Sequence, residues 1–449
     1  MRLERALLAL ALCFGTAYAF LTPPFQVPDE PQHFFRAFEV SEGRLLPIGR
    51  EGQSGDWLPE SLPRVAADVA GQAPFHPGVK VPIATIHRAF ADRLEPQSRV
   101  FVPFLTSAYS FVPYLPAAAG IRAARFFSDS VLVLFYAGRL ANVLVGGWLF
   151  FAALRSAPLG KPLFLLLALA PMAMFEMASV SADAMTNGVG FLFTALALAF
   201  AFAPEPPPGR AVLGRLILVA VLLGLTKPGY VFLTGLVLLA PVERFGSRWR
   251  KAAVALGTLG SSLAAAGAWS LAIRNIYPPF HSAGGLDPEK QLSILRSDPI
   301  GALEVFASFY FRAAPSLANQ YVGKLGWIDT HLPRVFVVAF LASLLVVAAT
   351  CGCEGPSVRR AQRLVLFGVL AASLLWMTAL LYVVFTPPGA PYVGSTQGRY
   401  FLPLGPVAFL LLVNRRLCIG WSRRASLLIG WGLATEIVAL AAIVERFYL

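Results

Sequence analysis

The side chains with chemistry to offer are concentrated near the N-terminus, in Pro23-Pro24-Phe25-Gln26-Val27-Pro28-Asp29-Glu30-Pro31-Gln32-His33-Phe34-Phe35-Arg36. Two adjacent carboxylates are followed by an imidazole and a guanidinium, groups that move protons, hold a divalent cation or bind an anion. Four prolines keep this chain out of a regular helix as far as Pro31, because each lacks an N–H and restricts the residue before it. Pro31 suits a first helical position with Asp29 or Glu30 as cap, and Gly43 suits the matching C-terminal stop. The spacing predicts a stiff ledge bearing Asp29 and Glu30, followed by a short helix on which His33 and Arg36 share a face. The same residues also read as an acidic cap beside a juxtamembrane surface helix.

The ledge follows an apolar segment and so emerges at a membrane face. Of 449 residues, 57% are hydrophobic and 14% charged, which a soluble core cannot account for and a polytopic membrane protein can. The net charge of +13 is unevenly spread. It clusters at Arg155/Lys161, Arg244/Arg248/Arg250/Lys251, Arg359/Arg360/Arg363 and Arg415/Arg416/Arg423/Arg424. Short basic loops mark the cytoplasmic side, which puts the N-terminus in the cytoplasm and the ledge outside. No basic stretch is joined to a soluble domain, so nucleic acid is not the partner; the lipid bilayer is. Residues 6–20, with Arg2 and Arg5 before them, read as an uncleaved signal anchor, or as a signal peptide cleaved after Ala17-Tyr18-Ala19. Cys13 falls in the first span, and Cys351, Cys353 and Cys418 on or near cytoplasmic loops, so no structural disulfide is expected.

The fold class that follows is an all-α polytopic membrane protein with about eleven transmembrane helices. It is a single integral membrane domain: residues 1–22 as signal anchor, 23–130 as a long first outer loop with juxtamembrane helices, 131–273 as transmembrane core, 274–334 as second outer loop, and 335–449 as C-terminal transmembrane helices. Residues 51–82, rich in Gly and Pro, read as irregular loop. Residues 101–127 carry Pro103, Pro113, Pro116, Arg122 and Arg125 and read as an interfacial helix, with a full span as the competing reading. Spans are expected at 131–154, 163–180, 185–202, 252–273, 335–349 and 364–385, with two more starting near 401 and 426. A turn at 205–210 and a polar stretch at 281–291 lie between them. Residues 211–241 are apolar but broken at Thr226-Lys227-Pro228-Gly229-Tyr230. Each half is roughly 22 Å long against a hydrocarbon core of roughly 30 Å, which predicts a hairpin of two short helices with Lys227 at its tip. Broken backbone at that depth belongs inside protein or against a wet cavity.

This topology gathers Asp29, Glu30, Asp183, Trp327, Asp329, Gln397 and Arg399 on one side, with Arg139 and Lys227 pointing to it from within. A lysine or arginine at mid-membrane costs at least roughly 2.5–3.5 kcal/mol, so each should face a partner or a cavity. Each also has a plain reading: Arg139 and Arg399 as snorkelling anchors, Asp183 as the cap of the next helix, Lys227 paired with Glu176.

The ledge is accompanied by Tyr136-Ala137-Gly138-Arg139-Leu140-Ala141-Asn142, Ala170-Pro171-Met172, Ser179-x-Ser181-x-Asp183-Ala184, Lys227-Pro228, Gly326-Trp327-Ile328-Asp329-Thr330 and Gln397-Gly398-Arg399-Tyr400-Phe401-Leu402-Pro403. Together, from the first span to Pro403, they resemble a domain-of-unknown-function family of bacterial polytopic membrane proteins. That family is similar to the GT-C glycosyltransferases, which use polyprenyl-phosphate-linked sugars. The resemblance implies a GT-C-like layout in the bacterial inner membrane and transfer of a sugar from a polyprenyl-phosphate carrier to a glycan or glycolipid acceptor on the outer face. It implies an acid in the first outer loop as the catalytic or metal-associated group, which Asp29 matches best; the chemistry expected of these residues then makes Asp29 the general base, with Glu30 and His33 orienting it or holding a divalent cation. Arg139, Lys227 and Arg399 would neutralise the leaving phosphate, and Arg36, Asp183, Trp327, Asp329, Gln397 and Tyr400 would complete the substrate site. Glu176 departs from the pattern, where an amide is expected, and so does Gly229, where a second proline-like breaker is. The competing reading is a non-enzymatic exporter or assembly factor for surface polysaccharide. An ion-coupled transporter is disfavoured by the lack of internal repeats.

Overall fold

Long runs of Leu, Ala, Val and Phe become helices here because an apolar surrounding leaves backbone N–H and C=O groups no partner but each other. The computed structural model describes residues 3–202, 210–277 and 285–449. Arg2, the turn at 205–209 and the start of the polar 281–291 stretch lie outside the described residues. The first helix, α1 (Leu3–Leu21), runs up to the ledge, where Phe25 and Asp29 take left-handed backbone conformations with φ of 66° and 63°. Pro31 then sits in the first turn of α2 (Glu30–Ser41), and Gly43, at φ 84°, follows its end. Both positions agree with the reading of the sequence.

Beyond α2 the chain is more ordered than its Gly- and Pro-rich composition indicates. Strands β1 (Ile48–Arg50) and β2 (Gln53–Pro59) form a hairpin, followed by α3 (Ser61–Ala70), α4 (Ile83–Ala89) and β3 (Arg99–Pro103). The three strands make an antiparallel sheet with Trp57 opposite Phe101 and Leu58 opposite Val100. Aromatic and β-branched pairs of this kind stabilise a sheet, but β2 and β3 are too far apart in sequence for any local pattern to announce them. Helix α3 buries Leu62, Val65 and Val69 along one face. The expected irregular loop at 51–82 is therefore corrected to strand and helix over 53–70, while 71–82 is turn and loop as expected. Residues 101–127 are neither a span nor one interfacial helix. They start in β3, pass through 3₁₀ turns at Leu105–Ala108 and Val112–Tyr114, and end in the short α5 (Leu115–Ala124). Its prolines fall where the regular structure changes.

The next elements are α6 (Val131–Ser156), α7 (Lys161–Ala168), α8 (Pro171–Met177), α9 (Ala182–Phe202), α10 (Arg210–Thr226) and a 3₁₀ helix at Pro228–Leu239. Then come α11 (Arg248–Ile273), α12 (Pro288–Ser297), α13 (Pro299–Gly323), the paired β4 (Lys324–Leu325) and β5 (Thr330–His331), α14 (Arg334–Thr350) and α15 (Arg360–Phe385). A 3₁₀ turn at Gly398–Leu404, α16 (Gly405–Leu410) and α17 (Ala425–Phe447) close the chain. Among the described residues, seven helices are long and apolar enough to cross a membrane: α1, α6, α9, α11, α14, α15 and α17. The other expected spans are short or broken. The 163–180 segment divides at Pro171 into α7 and α8, the hairpin halves are α10 and Pro228–Leu239, and the segment from 401 is a 3₁₀ turn plus α16. The second outer segment, expected as a loop, carries α12 and the 25-residue α13.

At the end of the bundle opposite the ledge, Cys353 and Cys418 form a disulfide with S–S 2.17 Å. The expectation of none is overturned. Cys353 follows α14 and Cys418 precedes α17, and the Ile419 N–H donates to the Thr350 carbonyl at 3.0 Å, so two segments distant in sequence run side by side. Cys13 and Cys351 remain free thiols.

Candidate functional site

Arg399 is placed by the glycine before it. A Cβ on Gly398 would come within 2.4 Å of the Gln320 side chain and 2.5 Å of the Tyr321 nitrogen, so only glycine lets the 398–404 turn press onto α13. Arg399 then reaches three carboxylates from three parts of the chain. It donates to Asp29 at 3.1 Å and to Glu176 at 3.4 Å, and lies 3.7 Å from Asp183. Lys227 is extended, as the residue before a proline must be. Its ammonium donates to Asp183 and lies 5.5 Å and 5.3 Å from the ring centres of Tyr109 and Tyr400. The Tyr230 hydroxyl donates to the Tyr400 carbonyl at 2.9 Å, which fixes the backbone beside Arg399. Every charge in the cluster has a counter-charge, the condition under which charges tolerate burial.

One carboxylate of the three is open. The Asp29 side chain is 46% exposed, against 0% for Glu176 and 3% for Asp183. Asp29 stands at the N-cap of α2, but its side chain makes no capping bond; its left-handed backbone turns the carboxylate to Arg399 instead. The reading of Asp29 as a plain acidic cap is thereby removed. Arg399 and Glu176 also line a narrow cleft, together with Pro28, Met172, Phe175, Ile328 and Gln397 among others. Ile328 has φ 62°, a costly conformation for a β-branched residue and one that recurs at functional sites. Gln397 and Arg399 line this cleft, and Asp29, Asp183, Lys227 and Tyr400 gather around Arg399.

Other expected members are elsewhere. Glu30 is fully buried and accepts from Arg139 at 2.8 and 2.6 Å and from the Val180 N–H at 3.0 Å. The remaining Arg139 N–H groups go to the carbonyls of Ala19, Thr22 and Pro23, so all five donors are used and none is left for a phosphate. Arg139 is corrected from substrate ligand to internal tie. The proposed divalent cation on Asp29 and Glu30 does not fit, because the two carboxylates face different partners and Arg399 already covers the Asp29 side. Among the described residues no group of three or more Asp, Glu, His or Cys is placed to hold a metal. Arg36 donates to Glu39 at 2.5 Å and to the carbonyls of Leu45 and Tyr109, and is not bonded to Asp29. His33 Nδ1 lies 2.7 Å from the Tyr114 hydroxyl, and its ring stacks against Tyr109. Burial pushes His33 down to about 4 against the opposing pull of Asp29, so it is neutral near pH 7. The Trp327 indole donates to the Phe25 carbonyl at 3.1 Å, pinning the ledge, and Asp329 accepts from Arg446 at 2.7 Å, fastening α17. Neither is at the cluster. Lys227 pairs with Asp183 rather than Glu176, and Asp183 serves that pair rather than a helix cap.

Tyr109, Tyr114 and Tyr230 belong to this region and are not singled out by the sequence, where Tyr109 and Tyr114 fall within the 101–127 stretch read as an interfacial helix. Glu176 stands out in the sequence as a departure from a pattern and as a partner for Lys227, whereas in the structure it meets Arg399. A family model described as "Predicted membrane protein (DUF2142)" matches residues 12–408, and the chain belongs to that family. The match includes every residue of the Asp29–Arg399 cluster. No curated protein and no solved structure matches the chain.

Proposed function

We propose that this DUF2142 membrane protein is a glycosyltransferase of GT-C type, moving a sugar from a polyprenyl-phosphate carrier to an acceptor hydroxyl at the outer face of the bacterial inner membrane. The observation that carries the reading is Asp29, the solvent-open carboxylate of an otherwise buried charge cluster, bonded to an Arg399 that also lines the narrow cleft. A general base must lie within reach of the proton it takes, and the exposure of Asp29 allows that. In the step envisaged, the acceptor hydroxyl gives its proton to Asp29 as its oxygen bonds to the anomeric carbon, and the bond from that carbon to the phosphate oxygen breaks. The electron pair leaves on the polyprenyl phosphate. Arg399, tied also to Glu176 and Asp183, sets the direction of the Asp29 carboxylate, and the Lys227–Asp183 pair with Tyr400 holds Arg399 in place.

The direct test is release of polyprenyl phosphate from a panel of polyprenyl-phosphate sugars by the purified protein in proteoliposomes, with glycan acceptors added. Release that is lost in Asp29→Asn supports the reading; movement of the intact lipid-linked sugar across the bilayer without cleavage would support export instead. Orientation is checked by cysteine labelling in a background with Cys13 and Cys351 replaced by serine. Ser395→Cys should react with an impermeant maleimide from outside spheroplasts, and Ser247→Cys should not.

A further inference from the structure

Beside the narrow cleft lies a wider one of about 390 Å³, lined by Asn319, Lys324, His331, Leu332 and Arg334. Lys324 lines both. The charge balance here is the opposite of that around Asp29. There, Arg399 and Lys227 are met by Asp29, Glu176 and Asp183. Here, among the described residues, no carboxylate lines the cavity, and Asp329, close by in sequence, is paired with Arg446. Lys324 stands directly opposite His331 across the β4–β5 pair, a register in which like charges repel. Arg334 opens α14, whose first-turn N–H groups add the positive end of a helix dipole. Among the described residues, the side chains of Asn319, Lys324, His331 and Arg334 make no hydrogen bond or ion pair. His331 is exposed, yet partial desolvation, reinforced by Lys324 and Arg334 and opposed by Asp329, lowers it from its ordinary range, leaving it a neutral hydrogen-bonding group near pH 7. Immediately after Arg334, Val335 and Val338 are 79% and 65% exposed, an apolar strip leading away from the basic mouth.

We propose that this second cleft binds the phosphate of a membrane-carried polyprenyl phosphate, with Lys324 and Arg334 as counter-charges, Asn319 and His331 as neutral partners, and the lipid tail along the exposed valines of α14. Unmatched positive charge around an open cavity is what a phosphate needs, and the Arg399 cluster has none to spare. The exposed apolar strip favours a lipid source over a free anion. The inference rests on the transferase reading for its biological purpose, and it moves the phosphate from Arg399 to Lys324, at the junction of the two clefts.

Binding is measured without transfer, on detergent-purified full-length protein, with sugar-free polyprenyl phosphate as the probe and polyprenol and inorganic phosphate as the comparison arms. Wild type and Asp29→Asn should bind polyprenyl phosphate alike, and polyprenol should bind at least about ten-fold more weakly. Lys324→Gln/Arg334→Gln should weaken binding at least about ten-fold, and Lys324→Arg/Arg334→Lys should restore it to within a few-fold. All variants should melt at the wild-type temperature without ligand, since neither side chain has a partner to lose. Equal binding of polyprenol, or wild-type affinity in the double Gln variant, overturns the site. Inorganic phosphate binding as tightly as the lipid overturns the lipid source. Phosphate-dependent binding at Lys324 and Arg334 in a protein that transfers nothing would keep this site and remove the transferase. Transfer with binding unaffected by the double Gln variant would do the reverse.

Discussion

Glu30 is enclosed, with Arg139 and the Val180 N–H bonded to its carboxylate, whereas Asp29, one residue earlier, has 46% of its side chain open and a single bond from Arg399. The two carry the same charge on the same ledge. What separates them is backbone: Asp29 is left-handed and outside the helix, and Glu30 is its first residue. The Glu30–Arg139 pair ties α1, the ledge, α2 and α6 together, because Arg139 also holds the last carbonyls of α1 and the start of the ledge. The Asp29–Arg399 pair joins the same ledge to the 398–404 turn at a place water can reach. Adjacent acids can thus serve fold and chemistry separately, and substitutions should tell them apart.

The largest effect is expected at the enclosed pair. Arg139→Met leaves Glu30 buried without its partner and should destabilise the protein by about 3–5 kcal/mol. Reduced yield of monodisperse protein and a lower denaturation midpoint would show it; a midpoint near that of wild type would mean Glu30 is not sealed as described. Next comes the open acid. Asp29→Asn should lower polyprenyl phosphate release by about 10²–10⁴-fold with stability unchanged to within about 1 kcal/mol, and Glu30→Gln should do the opposite, costing stability first. A reversed order of the two would invert the comparison.

A smaller effect separates the buried side of α2 from the open ledge. His33 has its proton affinity lowered in the folded state, so between about pH 6.5 and about 4 the unfolded chain binds a proton that the folded one does not. Stability should therefore fall as pH drops through that window and level off below it. Asp29 and Asp183 oppose the lowering, while Lys227 and Arg399 add to it. His33→Gln should flatten the response, by up to about 3 kcal/mol at the acid end. An unchanged pH–stability curve would show that His33 is not held neutral by burial. The smallest effect is expected from Arg399→Lys, where charge is kept but a point charge replaces a planar fork shared among Asp29, Glu176 and Asp183. Turnover should fall about ten-fold with little change in melting. Wild-type turnover would make Arg399 a mere neutraliser, with no part in directing Asp29.

The sequence by itself determined the membrane character, the start and stop of α2, and the break at Lys227-Pro228. Each follows from properties carried by a few consecutive residues: apolar run length, a proline without an N–H, a glycine free to take positive φ. It also named most of the charged cluster, since ionisable side chains beside apolar spans are costly enough to stand out. The tertiary structure decided which charge meets which. Asp29 and Arg399 are 370 positions apart, Glu30 and Arg139 are 109 apart, and Cys353 and Cys418 are 65 apart. The pairing of β2 with β3 and the gathering of Lys324, His331 and Arg334 around one cavity are decisions of the same kind. Coulomb and hydrogen-bond energies depend on distance through space, and no local pattern contains the distance between residues brought together only when the helices pack.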